Sequence, residues 1–236
     1  MQKKEDANMT TDDILIPKIL PAYDDAVFKT LLTHPDAAPV LRDVVSAILM
    51  TEVEEVVVRN TELPIDDIGE KRERFDVNCR TAGGELVAME MQSVPMRGDN
   101  AVYGHANIKA RSVYNLCDLH SSQPGRGVDY QDLMRSYQVI FCNYDVFPKQ
   151  SSFVSRFTLR DEEGRELSEA ICAVFVELTK LDSVTTKDAA DMTPLEAWSV
   201  FFAKAHEPEC RKLITDIADI KKEVSMASSL LESISQ

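Results

Sequence analysis

Two acidic residues and one amide stand at alternating positions in two short segments of the sequence. Asp76 lies in residues 74–80, and Glu90 and Gln92 lie in residues 86–92. Carboxylate oxygens without histidine or thiolate partners suit Mg²⁺ or Mn²⁺ better than zinc. Two carboxylates that come close repel each other unless a cation or a proton compensates. The pattern therefore indicates a divalent metal site, provided that the fold brings both carboxylates to one place.

The two segments read as the strands of a β-hairpin around Gly83-Gly84, and the length of the turn decides whether the carboxylates meet. With a two-residue turn, Met91 stands opposite Asp76, and the site is not built. With a three-residue turn, residues 82–84, Glu90 stands opposite Asp76, with Cβ atoms roughly 5 Å apart. That register also places the apolar residues of both strands on one face, so we predict the three-residue turn.

A simpler interpretation needs no metal. Asp76 and Glu90 can be solvated charges of an ordinary hairpin, neutralised by Arg74 and Arg80. Short acidic patterns are common, so spacing alone favours this alternative.

The elements that would position the site follow from apolar periodicity and from capping signals. The hairpin is preceded by a short helix ending before His34-Pro35, a second helix and a strand. It is followed by a long helix, another strand, a second hairpin and C-terminal helices. The predicted segments outside the first hairpin are helices at 21–32, 36–50, 99–120, 193 onward and 207–236, and strands at 54–59, 136–142, 153–160 and 171–178. This order predicts a mixed α/β (α+β) sheet core with a helical C-terminal cap.

Composition limits the class of protein. The 236 residues can bury a sizeable core, and a net charge of −14 argues against a protein that coats nucleic acid nonspecifically. Only the middle of the chain has a positive balance, with eight basic and six acidic residues at 71–126. Five scattered cysteines and the lack of a long apolar run predict a reduced, cytoplasmic protein without a membrane segment.

Several blocks, taken in order, carry a resemblance to a known family. They are residues 23–29, the helix end at 45–49, residues 70–78 and 87–92, and the later blocks 111–114, 137–143 and 175–180. As a set they resemble the Rpn family of recombination-promoting nucleases and transposases, within the PD-(D/E)XK nuclease superfamily. The resemblance covers roughly residues 20–182.

The resemblance implies a restriction-endonuclease-like αβββαβ core and a Mg²⁺-dependent (or Mn²⁺-dependent) DNA endonuclease. It places the catalytic Asp at Asp76 and the acidic residue of the (D/E)XK element at Glu90. Gln92 stands where the motif has lysine, which removes a cation but leaves an amide that can hydrogen-bond the attacking water. The main-chain carbonyl of Met91 is expected to join the metal ligands. Asp25 is either a further ligand or a helix-capping carboxylate.

We expect the following organisation and partners. Residues 1–19 form a disordered segment, 20–182 the nuclease-like domain and 183–236 a helical extension. DNA is the expected partner, with phosphate contacts from Lys71, Arg74 and Arg111, each of which alone is more typical of a surface charge or an ion pair. No small-molecule cofactor is expected. A homodimer is left open, because the last predicted helix carries an apolar face that a partner could cover.

Two other functions remain open. The loss of the lysine and the acidity of the chain favour a catalytically weak nuclease fold that serves as a DNA-binding or protein-interaction module. An unrelated α+β scaffold that oligomerises through its last helix is the third alternative, and unpaired strands at 74–80 and 86–92 would favour it.

Overall fold

The computed structural model describes residues 18–59, 76–93, 101–123 and 129–236, with the side chains of the helix at 101–121 described from Ile108 onward. Their centre is a mixed six-stranded sheet in the order β1-β2-β3-β4-β6-β5. Helices cover both faces of this sheet, so the predicted α/β class with an αβββαβ core is confirmed.

The first two helices form near the predicted segments, but the first begins four residues later than predicted. Helix α1 spans Asp25–Thr33, and the side chain of Asp24 caps it by accepting hydrogen bonds from the N–H groups of Ala26 and Val27. Helix α2 spans Ala38–Leu49 and ends at Met50, whose φ of 56° is left-handed. Strand β1, Val56–Val58, is shorter than predicted and lies at the edge of the sheet.

The hairpin has the register predicted from the three-residue turn. Strands β2 (Val77–Thr81) and β3 (Leu86–Gln92) are antiparallel, with Val77 opposite Met89 and Arg80 opposite Leu86. Continued by one residue beyond the start of β2, this register sets Asp76 opposite Glu90. Gly84 supplies the left-handed backbone of the turn with a φ of 97°, a conformation that side chains disfavour. The two strands are paired, whereas the alternative of an unrelated scaffold would have been favoured by unpaired strands.

Helix α3, Ala101–Ser121, crosses from β3 to the parallel strand β4, Ser136–Cys142. Strand β5, Val154–Arg160, and strand β6, Glu166–Glu177, form the second hairpin, with β6 parallel to β4. The turn between them is closed by a hydrogen bond from Gly164 N to Asp161 O of 3.0 Å. Strand β6 begins five residues earlier than predicted, because its first part pairs with β5 alone.

The C-terminal helices pack on the sheet face that carries α1 and α2. They are α4 (Asp182–Thr185), α5 (Pro194–Lys204), α6 (Arg211–Ile220) and α7 (Lys222–Ile234). The prediction of one helix over 207–236 is wrong. Lys221 has extended backbone, with φ −112° and ψ 103°, and the bend lets α6 and α7 pack against each other. No Pro or Gly marks this break, so tertiary packing causes it.

Aromatic side chains fill the core on this face. The rings of Phe28, Phe141 and Phe202 lie 5.2 to 5.5 Å apart. Trp198 is fully buried and belongs to the same core, as expected for a structural residue. Within the described residues, no helix combines the length and the apolar character needed to cross a membrane.

Candidate active site

The two faces of strand β3 have different roles. Val87, Met89 and Met91 point into the main core, whereas Leu86, Ala88 and Glu90 point to the face covered by α3. Both faces are therefore buried, although the alternation had indicated one apolar and one polar face. Glu90 consequently lies inside the protein, with only 4% of its surface exposed.

Three polar side chains surround the carboxylate of Glu90. Arg111 Nη2 donates to Oε2 at 2.6 Å, while Asn115 Nδ2 and Gln138 Nε2 donate to Oε1 at 3.2 and 3.1 Å. Arg111 and Asn115 are one turn apart on α3, and Gln138 projects from β4. Burial raises the pKa of Glu90, and the charge of Arg111 opposes that rise. The ion pair keeps a charge in a place where an isolated carboxylate would be costly.

Asp76 lies directly before β2, where the site meets solvent. Its Oδ2 accepts a hydrogen bond of 2.8 Å from the N–H of Met91, which ties the carboxylate to β3. Burial raises the pKa of Asp76 to about 6, against the effect of the Met91 hydrogen bond. The negative charges of Asp25 and Glu90 raise this pKa further, and the positive charge of Lys29 lowers it. Asp25 and Glu90 therefore each act electrostatically on Asp76.

The raised pKa of Asp76 predicts a pH dependence of stability without metal. Because the folded state holds its proton up to about pH 6 and the ordinary pKa is 3.8, folding binds protons in between. The contribution of Asp76 to stability is thus complete below about pH 4 and is lost as the pH rises to about 6. Urea unfolding in EDTA should show the wild type losing stability relative to Asp76→Asn over this window. A difference that stays constant, or that rises with pH, contradicts the prediction.

Asp25 approaches the site from α1. Its Oδ1 accepts a hydrogen bond of 3.0 Å from Ser93 Oγ, directly after β3. Asp24, and not Asp25, is the residue that caps α1. Gln92 shares the face of Glu90 by strand alternation and is partly exposed. Four sequence-predicted residues thus lie around the start of β2 and the end of β3: Asp25, Asp76, Glu90 and Gln92.

The predicted cationic residues have different positions. Arg111 is held by Glu90 beneath α3, as an ion pair. Lys71 and Arg74 lie outside the described residues. Arg80, considered as a neutralising partner for the carboxylates, donates instead to the carbonyl of Gly84 in the turn.

Hard oxygen donors at Asp76 and Glu90 fit a divalent cation such as Mg²⁺, which is commonly held by one or two carboxylates and several waters. In this conformation, however, Arg111 holds one oxygen of Glu90. Within the described ranges, no three His, Cys, Asp or Glu side chains form a group that could hold a metal ion. A cation bound here would therefore rely on two protein carboxylates, with Arg111 giving up its place on Glu90.

Sequence reasoning missed Asn115 and Gln138. Gln138 is the single amide in an apolar strand, residues 137–142, and a buried amide in such a place needs a partner. Asn115 follows Arg111 at helical spacing, which places both side chains on one face of α3. The sequence contains these two signals, but it does not show that β4 and α3 pack beside Glu90.

One known protein family matches almost the whole chain. Residues 22–235 match the family model described as PD-(D/E)XK nuclease family transposase. No curated protein and no solved structure matches the chain. The matched range includes the hairpin that carries Asp76 and Glu90, and it extends through the C-terminal helices. The chain therefore belongs to the family of PD-(D/E)XK nuclease family transposases.

Proposed function

We propose that the protein is a Mg²⁺-dependent DNA endonuclease that acts in recombination or transposition. The observation that carries the proposal is the register of the hairpin, which sets Asp76 opposite Glu90 in a chain of a nuclease family. Both carboxylates have raised pKa values, and burial is the largest cause for each.

Asp76, Glu90 and the main-chain carbonyl of Met91 would hold Mg²⁺ or Mn²⁺, with Asp25 close enough to influence the charge of the site. The bound cation would lower the pKa of a water molecule and offset the charge that develops on the phosphate. Gln92 lacks the charge of the motif lysine, so its part is to position the attacking water through its amide. In-line attack by the water oxygen would form a new P–O bond while the P–O bond to the leaving oxygen breaks. The proton of the attacking water would pass to solvent, and the leaving oxygen would take a proton from solvent.

Arg111 has two roles in this scheme. It neutralises the buried Glu90 in the metal-free protein, as the 2.6 Å contact indicates. If Glu90 were to ligate a cation, the guanidinium of Arg111 could contact the substrate phosphate, since its fork geometry suits phosphate oxygens. Lys71 and Arg74 are retained as proposed phosphate contacts.

The direct test uses purified protein and supercoiled plasmid. Nicked or linear DNA should form with Mg²⁺ or Mn²⁺ and not with EDTA. Equal cleavage with and without metal would exclude the proposed chemistry.

Gln92→Ala tests the proposed role of the amide. The plasmid cleavage rate should fall by about 10- to 100-fold, the usual cost of losing a group that orients the reacting partners at a metal site. The Mg²⁺ concentration for half-maximal rate should change little, because Gln92 is not proposed as a ligand. Gln131→Ala, at an exposed position, is the matched control. An unchanged rate in Gln92→Ala would remove the amide from the mechanism.

A second candidate is a nuclease fold that binds DNA or protein without cutting. The ion pair between Arg111 and Glu90 and the absence of an assembled three-residue metal group in the described part of the chain favour it. DNA binding that persists without any metal-dependent cleavage would select this candidate. The division of the chain at residue 183, a cytoplasmic location and a homodimer remain proposals.

A further inference from the structure

A groove lies beside Asp76, and Arg111 is not among the residues that line it. It encloses about 450 Å³ and is lined by α1, by the end of β1 and by the start of β2. Lys29 comes from α1, Arg59 follows β1, and Asp76 and Asn78 form the shared wall with the site. The volume is within the range of small-molecule and nucleotide sites.

Lys29 and Arg59 bring two positive charges to one groove in a chain that carries 40 acidic and 26 basic residues. Both are exposed, and neither forms a salt bridge with any residue that the structure describes. Among the residues that line the groove, two are cationic and one, Asp76, is acidic. The balance of charge is positive, which favours an anionic ligand.

The anion that fits is a phosphate of a longer chain. A small free anion would be repelled by the carboxylate of Asp76, which lines the same groove. A polyanion held at several points tolerates that repulsion, and Asp76 belongs both to the groove and to the candidate site. The groove also contains Asn78, whose Oδ1 is buried and has no hydrogen-bond partner among the described residues. This acceptor suits a water molecule or an N–H group, and not a phosphate oxygen, which has no hydrogen to donate.

We propose that Lys29 and Arg59 bind the DNA phosphate that neighbours the cleaved one, and so position the strand across Asp76. This inference rests on the proposed nuclease function. Lys29 supplies a point charge and Arg59 a guanidinium fork, which are the two common ways of holding a phosphate without reading sequence. The strand then runs from α1 and the end of β1 toward the end of β3.

The test measures binding of a fluorescently labelled DNA duplex at several salt concentrations. Ca²⁺ replaces Mg²⁺, because it also takes oxygen ligands, and the DNA is checked for integrity after each titration. Each of Lys29→Gln and Arg59→Gln should weaken binding about tenfold near 0.1 M salt and lower the slope of log K against log salt by about one. In the double variant, the slope of log K against log salt should fall by about two. Lys222→Gln, an exposed lysine on α7 outside the groove, should behave as wild type.

The outcomes separate this inference from the function on which it rests. If both groove variants bind DNA as tightly as the wild type, with unchanged slopes, the inference is overturned. Metal-dependent plasmid cleavage would still support the nuclease function. An equal loss in Lys222→Gln also overturns it, because the effect would then be a general change of charge. No binding by the wild type overturns both. Thermal unfolding of each variant verifies that these exposed substitutions leave the fold intact.

Discussion

Metal-dependent plasmid cleavage should fall by at least about 100-fold when Asp76 is replaced by alanine. Removing a group that only orients a metal ligand costs about 10- to 100-fold, and the loss of a ligand is expected to cost more. Asp76 is the carboxylate at the open side of the site, so no described acidic residue other than Asp25 is placed to substitute for it. The rate is measured from the conversion of supercoiled DNA at saturating Mg²⁺.

The Asp76 variant should remain folded, which makes the loss interpretable. Because burial raises the pKa of Asp76 to about 6, its ionised form is unfavourable in the folded protein at neutral pH. Alanine removes that cost together with the hydrogen bond from Met91 N. Asp219→Asn, at an exposed position on α6, is the matched control and should cut at the wild-type rate. Cleavage by Asp76→Ala at the wild-type rate would show that the activity lies elsewhere or comes from a contaminant.

Arg111→Ala should lower the free energy of unfolding in EDTA by about 3 to 5 kcal/mol, the usual cost of leaving a buried charge without its partner. Glu90 is 4% exposed and would keep only the two amides of Asn115 and Gln138. Urea unfolding at neutral pH measures the effect. Arg165→Ala is the control: its ion pair with Asp161 lies at the surface, and the expected loss is at most about 1 kcal/mol.

Two further measurements identify the cause of the Arg111 effect. Glu90→Gln combined with Arg111→Ala should recover part of the stability, since the double variant has no uncompensated buried carboxylate. Added Mg²⁺ should stabilise Arg111→Ala more than the wild type, because a ligand that binds only the folded state shifts the equilibrium by mass action. A small effect of Arg111→Ala, with no recovery in the double variant, would mean that Glu90 does not depend on this ion pair.

Local sequence pattern was sufficient for the hairpin and for the position of the two carboxylates. Side chains alternate with a period of two along a strand, so a shift of one residue would have turned every apolar side chain of the hairpin to the wrong face. The same constraint set Asp76 opposite Glu90. The capping signals of α1 and α5 were equally local, because Asp24 and Thr193 bond to backbone groups within three residues.

The environment of Glu90 could not be read in the same way. Its partners Arg111, Asn115 and Gln138 lie 21 to 48 residues away in sequence, on a helix and a parallel strand. The groove of Lys29 and Arg59 is likewise formed by distant segments: α1, the end of β1 and the start of β2. The break between α6 and α7 at Lys221 also leaves no sequence signal. Such features depend on which distant segments pack together, since burial and charge compensation are properties of the assembled fold and not of a local pattern.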